Sequence, residues 1–277
     1  MKTLRHHRCL FIILCCEVLT TAAFAQQAQG RPIEGDTTHP PKRDWVKSLW
    51  NERHTWPDRL WEDSVDTFTE PNNIWLLALA GAASIVMHNN GADDDIQASV
   101  EEHRAIDGFF SESLNVAGGP ATHFAATGLW YALSVQNNNR LNEERAWTMM
   151  TALAINGMVT VGLKAARNNE NPNGDSWAWP SGHTSSSFTV AAVLDEYYGP
   201  KVGIPAYALA SLVAYRMVEE GDHWMSDAVF GAALGWAVGH SVAGKHMDME
   251  IAGFELMPMP PTTSGEPTIG LALVKQF

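Results

Sequence analysis

The stretch Trp179-Pro180-Ser181-Gly182-His183-Thr184 stands directly before an apolar pattern of helical spacing that continues to Tyr197. A Pro-Ser-Gly turn that opens a helix directs free backbone N–H groups and the positive end of the helix dipole at one point. Glycine in this turn permits the close approach of an anion. The sequence therefore predicts a phosphate site with His183 beside it. A capping serine followed by an incidental histidine is the alternative for the tripeptide taken alone.

Downstream, the segment His223-Trp224-Met225-Ser226-Asp227 places a histidine and an aspartate four residues apart. On a helix this spacing brings both side chains to one face. A carboxylate bonded to one ring nitrogen fixes the tautomer and leaves the other nitrogen as a nucleophile. We therefore predict that His223 is a nucleophile oriented by Asp227, while a purely structural His-Asp pair is the alternative.

Two cations accompany these motifs. Arg216 lies near the end of the preceding predicted helix, where its planar guanidinium can hold two phosphate oxygens. Lys164 lies near the end of a long apolar helix, before the polar loop 167–175. Together they predict a locally built phosphate site in an otherwise acidic chain.

The ordered set of Lys164, Ser181-Gly182-His183, Arg216, His223 and Asp227 resembles the type 2 phosphatidic acid phosphatase superfamily, which includes bacterial acid phosphatases and vanadium haloperoxidases. The family pattern is Lys, six residues, Arg-Pro; then Pro-Ser-Gly-His; then Ser-Arg, five residues, His, three residues, Asp. The second motif is matched in full. The resemblance implies an all-α fold, a helical bundle of the acid phosphatase and haloperoxidase type.

The resemblance also implies a role for each matched position. His223 attacks phosphorus, Asp227 orients it, and His183 protonates the leaving oxygen. Lys164, Arg216 and the Ser181-Gly182 backbone hold the phosphate. No metal and no cofactor are required, and vanadate is expected as an inhibitor or, less in keeping with this sequence, as a cofactor.

Three departures from the family pattern stand out. The arginine of the first motif is replaced by Asn171, and we hypothesise that Arg167, on the same helical face as Lys164, substitutes for the missing cation. An exposed arginine that ends a helix is the alternative. Six residues rather than five separate Arg216 from His223, and Tyr215 stands where the family usually has serine.

The rest of the chain predicts a helical domain over residues 42–246. Residues 247–277 predict a tail with a short β segment, which a hairpin would satisfy. A stripe of apolar residues that includes Trp50 and Trp61 favours two short core helices, with a membrane interface as the alternative. We interpret Gly91 to Asp95 as a solvated helix N-terminus. Further helices are predicted from Asn73 to His88, Gly119 to Val135, Glu143 to Ala166, Thr184 to Tyr197, Gly203 to Val218 and His223 to Val242.

The first 25 residues are typical of a secretion signal, with a basic start, an apolar stretch and Ala23-Phe24-Ala25 before Gln26. Residues 26–41 predict a disordered linker. All three cysteines, Cys9, Cys15 and Cys16, lie in the signal, so a mature chain without thiol chemistry in the periplasm or outside the cell is expected.

The formal net charge of −13 argues against nucleic-acid binding. The predicted partner is a phosphorylated small molecule or lipid, with peripheral membrane contact possible. The predicted function is hydrolysis of phosphate monoesters through a phosphohistidine. A vanadium-dependent haloperoxidase and a catalytically weakened phosphate-ester-binding envelope protein are the alternatives.

Overall fold

The computed structural model describes residues 43–106, 108–244, 250–251, 254–258 and 271–274. The predicted secretion signal and linker lie outside these residues. The described chain divides into two compact units, which meet in sequence after Gly244.

The first unit is an all-α bundle, which confirms the fold class predicted from the sequence. The described helices are α1 (Trp45–Glu52), α2 (Trp56–Thr69), α3 (Pro71–Asn89), α4 (Ala92–Glu102), α5 (Gly108–Ala117), α6 (Pro120–Gln136), α7 (Arg140–Arg167), α8 (Gly182–Tyr198), α9 (Pro200–Glu219) and α10 (Met225–Val242). The central helix is α8, which contacts α6, α7, α9 and α10. Helix α10 also packs on α3.

The main core lies where α7, α8 and α10 meet. Leu153 of α7, Val193 of α8 and Leu234 of α10 are each about 99% buried or more in one cluster. Burial of side chains of this size stabilises a fold by roughly 1.5 to 3 kcal/mol each. This core fixes the N-terminal ends of α8 and α10 relative to the last turn of α7.

Close approach of α8 and α10 depends on glycine. A Cβ on Gly231 would lie 2.8 Å from the Ser181 carbonyl oxygen, and one on Gly239 would lie 2.6 Å from that of Thr189. Gly235, between them, faces the carbonyl of Ser185 in the same way. Because no larger residue fits these positions, the glycines hold the Ser181 turn directly against α10.

The prediction that the apolar stripe of α1 and α2 is core is wrong for most of its residues, although Leu60 packs against the main core. Trp50 and Trp61 are 65% and 72% exposed, and helix α3 exposes Trp75 and Val86 among its apolar side chains. Within the described ranges, only α7 is long and apolar enough to cross a membrane by length and composition, and half of its most apolar stretch is buried in the bundle. The outer surface of the bundle therefore exposes more large apolar side chains than is usual for a protein whose surface meets only water.

The second unit contains three short antiparallel strands, in the stretch for which a hairpin was predicted. The strands β1 (Glu250–Ile251), β2 (Phe254–Pro258) and β3 (Leu271–Val274) form a sheet in the order β1-β2-β3. Glu250 pairs with Glu255, and Glu255 pairs with Val274.

Candidate active site

The N-terminus of α8 has the geometry expected of an anion site. Ser181 caps the helix, because its hydroxyl oxygen accepts from the N–H of Thr184 at 3.3 Å and its carbonyl accepts from that of Ser185 at 3.0 Å. The N–H of Ser181 itself donates to the Asp227 carbonyl at 3.1 Å. The first turn thus leaves the amides of Gly182 and His183 as donors for an anion. Of the predicted Ser181-Gly182 pair, Ser181 has a structural role here.

His223 and Asp227 meet, although not on one helical face as predicted. Helix α10 begins at Met225, so His223 lies in the turn before it. The Nδ1 atom of His223 is 3.4 Å from Oδ2 of Asp227, and the same oxygen accepts from the N–H of Trp224 at 3.0 Å. Asp227 therefore caps the helix and faces the imidazole at once, which leaves Nε2 of His223 free to act.

Arg216 is held in the last turn of α9. Its guanidinium is buried, donates from Nε to the Ser111 hydroxyl at 3.1 Å, and forms an ion pair with Asp222. Asp222 directly precedes His223, and sequence reasoning did not identify it. An anion that binds Arg216 therefore competes with a carboxylate that is already in place.

Lys164, near the end of α7, reaches the loop that leads into α8. Its ammonium donates to the carbonyl of Trp177 and, at 3.0 Å, to that of Ala178. Its Cε atom lies 3.9 Å from the position of a Cβ on Gly182. The lysine is thus placed beside the glycine that opens α8.

The electrostatics of His183 show that these groups share one site. Burial, and after it the charges of His223, Arg216 and Lys164, lower the pKa of His183 to about 4, while Asp222 acts in the opposite sense. Three groups predicted from the sequence, His223, Arg216 and Lys164, therefore act on one imidazole. In the absence of an anion, His183 is neutral at pH 7.

His123, on helix α6, is a further histidine near the candidate site. It is buried, and its Nδ1 atom lies 3.1 Å from the Ser186 hydroxyl. Burial and then the charge of His183 lower its pKa to about 4. Sequence reasoning did not identify His123 as a neighbour of the candidate site.

Asp93 was predicted to be solvated, and this is wrong. It is 2% exposed and accepts from the N–H of Ser226 at 2.9 Å and from its hydroxyl at 2.6 Å. Ser226 lies between His223 and Asp227 in sequence. Asp93 therefore anchors the turn that carries the candidate nucleophile.

The two residues at the departure from the first family motif have separate contacts. The guanidinium of Arg167 lies over the ring of Trp179, 5.1 Å from the ring centroid. The side chain of Asn171 donates to the carbonyl of Asp222 at 3.1 Å and accepts from the N–H of Asp175 at 2.7 Å. Asn171 thus ties its loop to the residue before His223, and the role of Arg167 as a phosphate cation stays a prediction. Among the described residues, no group of three or more His, Cys, Asp or Glu side chains is placed to hold a metal ion.

A family model described as the PAP2 superfamily matches residues 162–247. The matched stretch runs from just before Lys164 to beyond Asp227 and includes His183, Arg216 and His223. This stretch, the PAP2 domain, is the part of the chain that the family model covers. The residues that the structure brings together around His183 are those on which the resemblance was based.

Relatives of the PAP2 domain include a lipid A 1-phosphatase from Porphyromonas gingivalis, 34% identical over 89 residues. The match covers 31% of this chain and spans a fifth of that relative's length, 20%. Among solved structures, a transmembrane PAP2 type phosphatidylglycerolphosphate phosphatase from Bacillus subtilis is 17% identical, with a TM-score of 0.49 over 64% of this chain and 95% of the other. LpxE from Aquifex aeolicus is 18% identical, with a TM-score of 0.46 over 53% and 92%.

Lys164 gives the PAP2 domain a testable pH dependence. Burial lowers its pKa to about 8, against the opposing effect of Asp227. Below this pH the ammonium is charged, and above it the charge is lost, so phosphate affinity should fall as pH rises through 8. We expect competitive inhibition by inorganic phosphate to weaken by up to about tenfold per pH unit between pH 8 and pH 9.5.

The matched variants for this test are Lys164→Arg, Lys164→Met and the exposed Lys201→Arg. The arginine keeps its charge throughout this range, so the decline should disappear. Lys164→Met should bind phosphate weakly at every pH, and Lys201→Arg should repeat the wild-type profile. If phosphate affinity in Lys164→Arg or in Lys164→Met falls with pH as steeply as in wild type, another group is responsible for the titration.

Proposed function

We propose that this chain is a phosphatase that hydrolyses phosphate monoesters of lipids through a phosphohistidine on His223. The observation that carries the proposal is the convergence of His223, Arg216 and Lys164 on His183 at the N-terminus of α8. A nucleophile, its orienting carboxylate, a proton donor and two phosphate cations are the parts that phosphoryl transfer needs.

In the first step, Nε2 of His223 attacks phosphorus and the bond from phosphorus to the alcohol oxygen breaks. Asp227, on Nδ1, stabilises the positive charge that forms on the ring. The amides of Gly182 and His183, with Arg216 and Lys164, meet the negative charge on the equatorial oxygens. The leaving oxygen takes a proton from His183.

His183 acquires this proton when the substrate binds. The free site holds it neutral, since burial and the charges of neighbouring groups, Arg216 and Lys164 among them, depress its pKa. A bound phosphate adds negative charge beside the ring, which raises the pKa again. In the second step a water molecule gives its proton back to His183, attacks phosphorus and releases inorganic phosphate and free His223.

The lipid class of the substrate is supported by the surface and by one relative. Trp50, Trp61 and Ile204 are each more than 60% exposed, and such side chains favour association with a lipid surface. The relative from Porphyromonas gingivalis is named a lipid A 1-phosphatase. A phosphate site next to an apolar exterior suits an ester whose alcohol is apolar.

The test is phosphate release by the protein in detergent with EDTA present, measured on p-nitrophenyl phosphate, glycerol phosphate and dioctanoyl phosphatidic acid. We expect turnover that EDTA leaves unchanged, with the highest kcat/KM on the lipid. Ester binding without release would contradict the proposal and favour a binding protein. Halide-dependent peroxide oxidation after addition of vanadate would favour a haloperoxidase.

A further inference from the structure

A cavity of about 310 Å³ opens between α6, α8 and α9. This volume is at the small end of the range for small-molecule sites, about 300 to 1,000 Å³. Its walls are almost entirely apolar, and such cavities take apolar ligands in preference to water. The lining includes Trp130, Val190, Leu194, Val202, Ala206 and Leu209.

The inner end of the cavity lies near the candidate active site, since the charge of His183 acts on the lining residue His123. His123 and Ser187 line it, and His123 contacts Ser186, one helical turn beyond His183. Gly118 also lines it, three residues after Asn115, whose side-chain oxygen lies 3.5 Å from a guanidinium nitrogen of Arg216. The cavity therefore ends one helical turn from His183, and its lining residue Gly118 lies one turn from a residue that contacts Arg216.

The outer part of the cavity runs along α8 and reaches the surface. From Ser187 to Tyr198 the helix rises by roughly 16 Å. Pro205 and Leu209, on α9, line the cavity and are exposed, Leu209 to 43%. The cavity is thus a slot with one end beside His183 and an apolar opening at the side of the bundle.

We propose that this slot holds the hydrocarbon chain of the substrate while its phosphate lies between His183 and His223. The inference rests on the proposed phosphatase function and narrows it to esters with one long chain seated in the protein. The slot has room for one chain and not for several, so further chains of a lipid would lie outside it. His123 and Ser187, two of the few polar residues in the lining, lie at the inner end, where the ester oxygen would be.

The test compares butyl phosphate with dodecyl phosphate, each below its critical micelle concentration. Burial of one methylene group favours binding by roughly fourfold, so the wild-type ratio of kcat/KM, dodecyl to butyl, should exceed about a hundred. Ala206→Trp and Ala126→Trp fill the slot from α9 and from α6. We expect both variants to bring this ratio close to one.

The matched controls are Ala208→Trp and Ala125→Trp, which place the same side chain on exposed positions of the same helices. They should keep the wild-type ratio. The inference is overturned if the ratio is near one in wild type, or if the slot-filling variants keep it while folded by circular dichroism.

Calorimetric titration of dodecyl phosphate into a His223→Ala background decides the slot independently of turnover. Weaker binding after Ala206→Trp, but not after Ala208→Trp, supports the slot even if wild type releases no phosphate from any ester. In that case the phosphatase function fails and the binding site stands. Equal binding by both variants overturns the slot, whatever the activity.

Discussion

We expect His223→Ala to lower kcat for phosphate ester hydrolysis by at least about a thousandfold, the order of loss when the nucleophile of a coupled catalytic set is removed. The only ring nitrogen that faces away from Asp227 is Nε2, so the variant has no group to form the covalent intermediate. The cations and amides around α8 remain, so substrate should still bind. The measurement is phosphate release with EDTA present, together with mass spectrometry of the acid-sensitive phosphopeptide that contains residue 223.

The control for this prediction is His103→Ala, at an exposed histidine whose Nδ1 lies 3.1 Å from a carbonyl of its own helix. It should retain wild-type kcat. A more specific test is His223→Gly with added imidazole, which should restore part of the turnover because free imidazole can occupy the vacated position. A folded His223→Ala protein with unchanged kcat would refute the phosphohistidine.

The sequence predicted the long helices well, because their apolar spacing and their Gly or Pro boundaries agree. Pro120 begins α6, and Gly199-Pro200 separates α8 from α9 at the predicted place. Helix α5 was missed. Its pattern is partly inverted, since Phe109 and Phe110 are exposed while Ser111 and Ser113 are buried beside Leu114. A rule that assigns apolar residues to the interior cannot find such a helix.

The same inversion explains why the tryptophan stripe was assigned to the core. Apolar periodicity shows that a helix has an apolar face, but not whether that face meets the protein or a lipid surface. Trp50, Trp61 and Trp75 are exposed on helices whose buried positions include small polar residues such as Ser48, Thr67 and Asn73. Composition alone did not separate the two cases.

The candidate site was predictable to the extent that its residues carry the chemistry in short motifs. His183 lies at the start of a helix, as its motif predicted, and Lys164 and Arg216 act on its imidazole. His223 and Asp227 meet as predicted, although His223 lies in the turn before its helix. Asp93 and His123 were not predictable, because their contacts with Ser226 and Ser186 cross 133 and 63 residues of sequence. Such contacts depend on how helices pack, which no local pattern encodes.

The second large effect is expected for His183→Gln, and it should depend on the leaving group. Removal of a general acid costs about a hundredfold to ten-thousandfold when the leaving oxygen needs a proton. Alkyl phosphates have such a leaving group, so their cleavage should fall by this amount. The nitrophenolate of p-nitrophenyl phosphate leaves without a proton, so formation of the phosphohistidine from this ester should change far less.

Rapid mixing with p-nitrophenyl phosphate separates the two steps. Because His183 must also take the proton of the attacking water, the variant should show a fast burst of nitrophenol, about one per active site, and then slow turnover. The buried His123→Gln on the neighbouring helix is not a suitable control, since it lines the slot; His103→Gln is, and it should show no such burst. Equal losses on alkyl and nitrophenyl esters, with no burst, would mean that His183 positions the phosphate by its charge or its shape and does not transfer the proton.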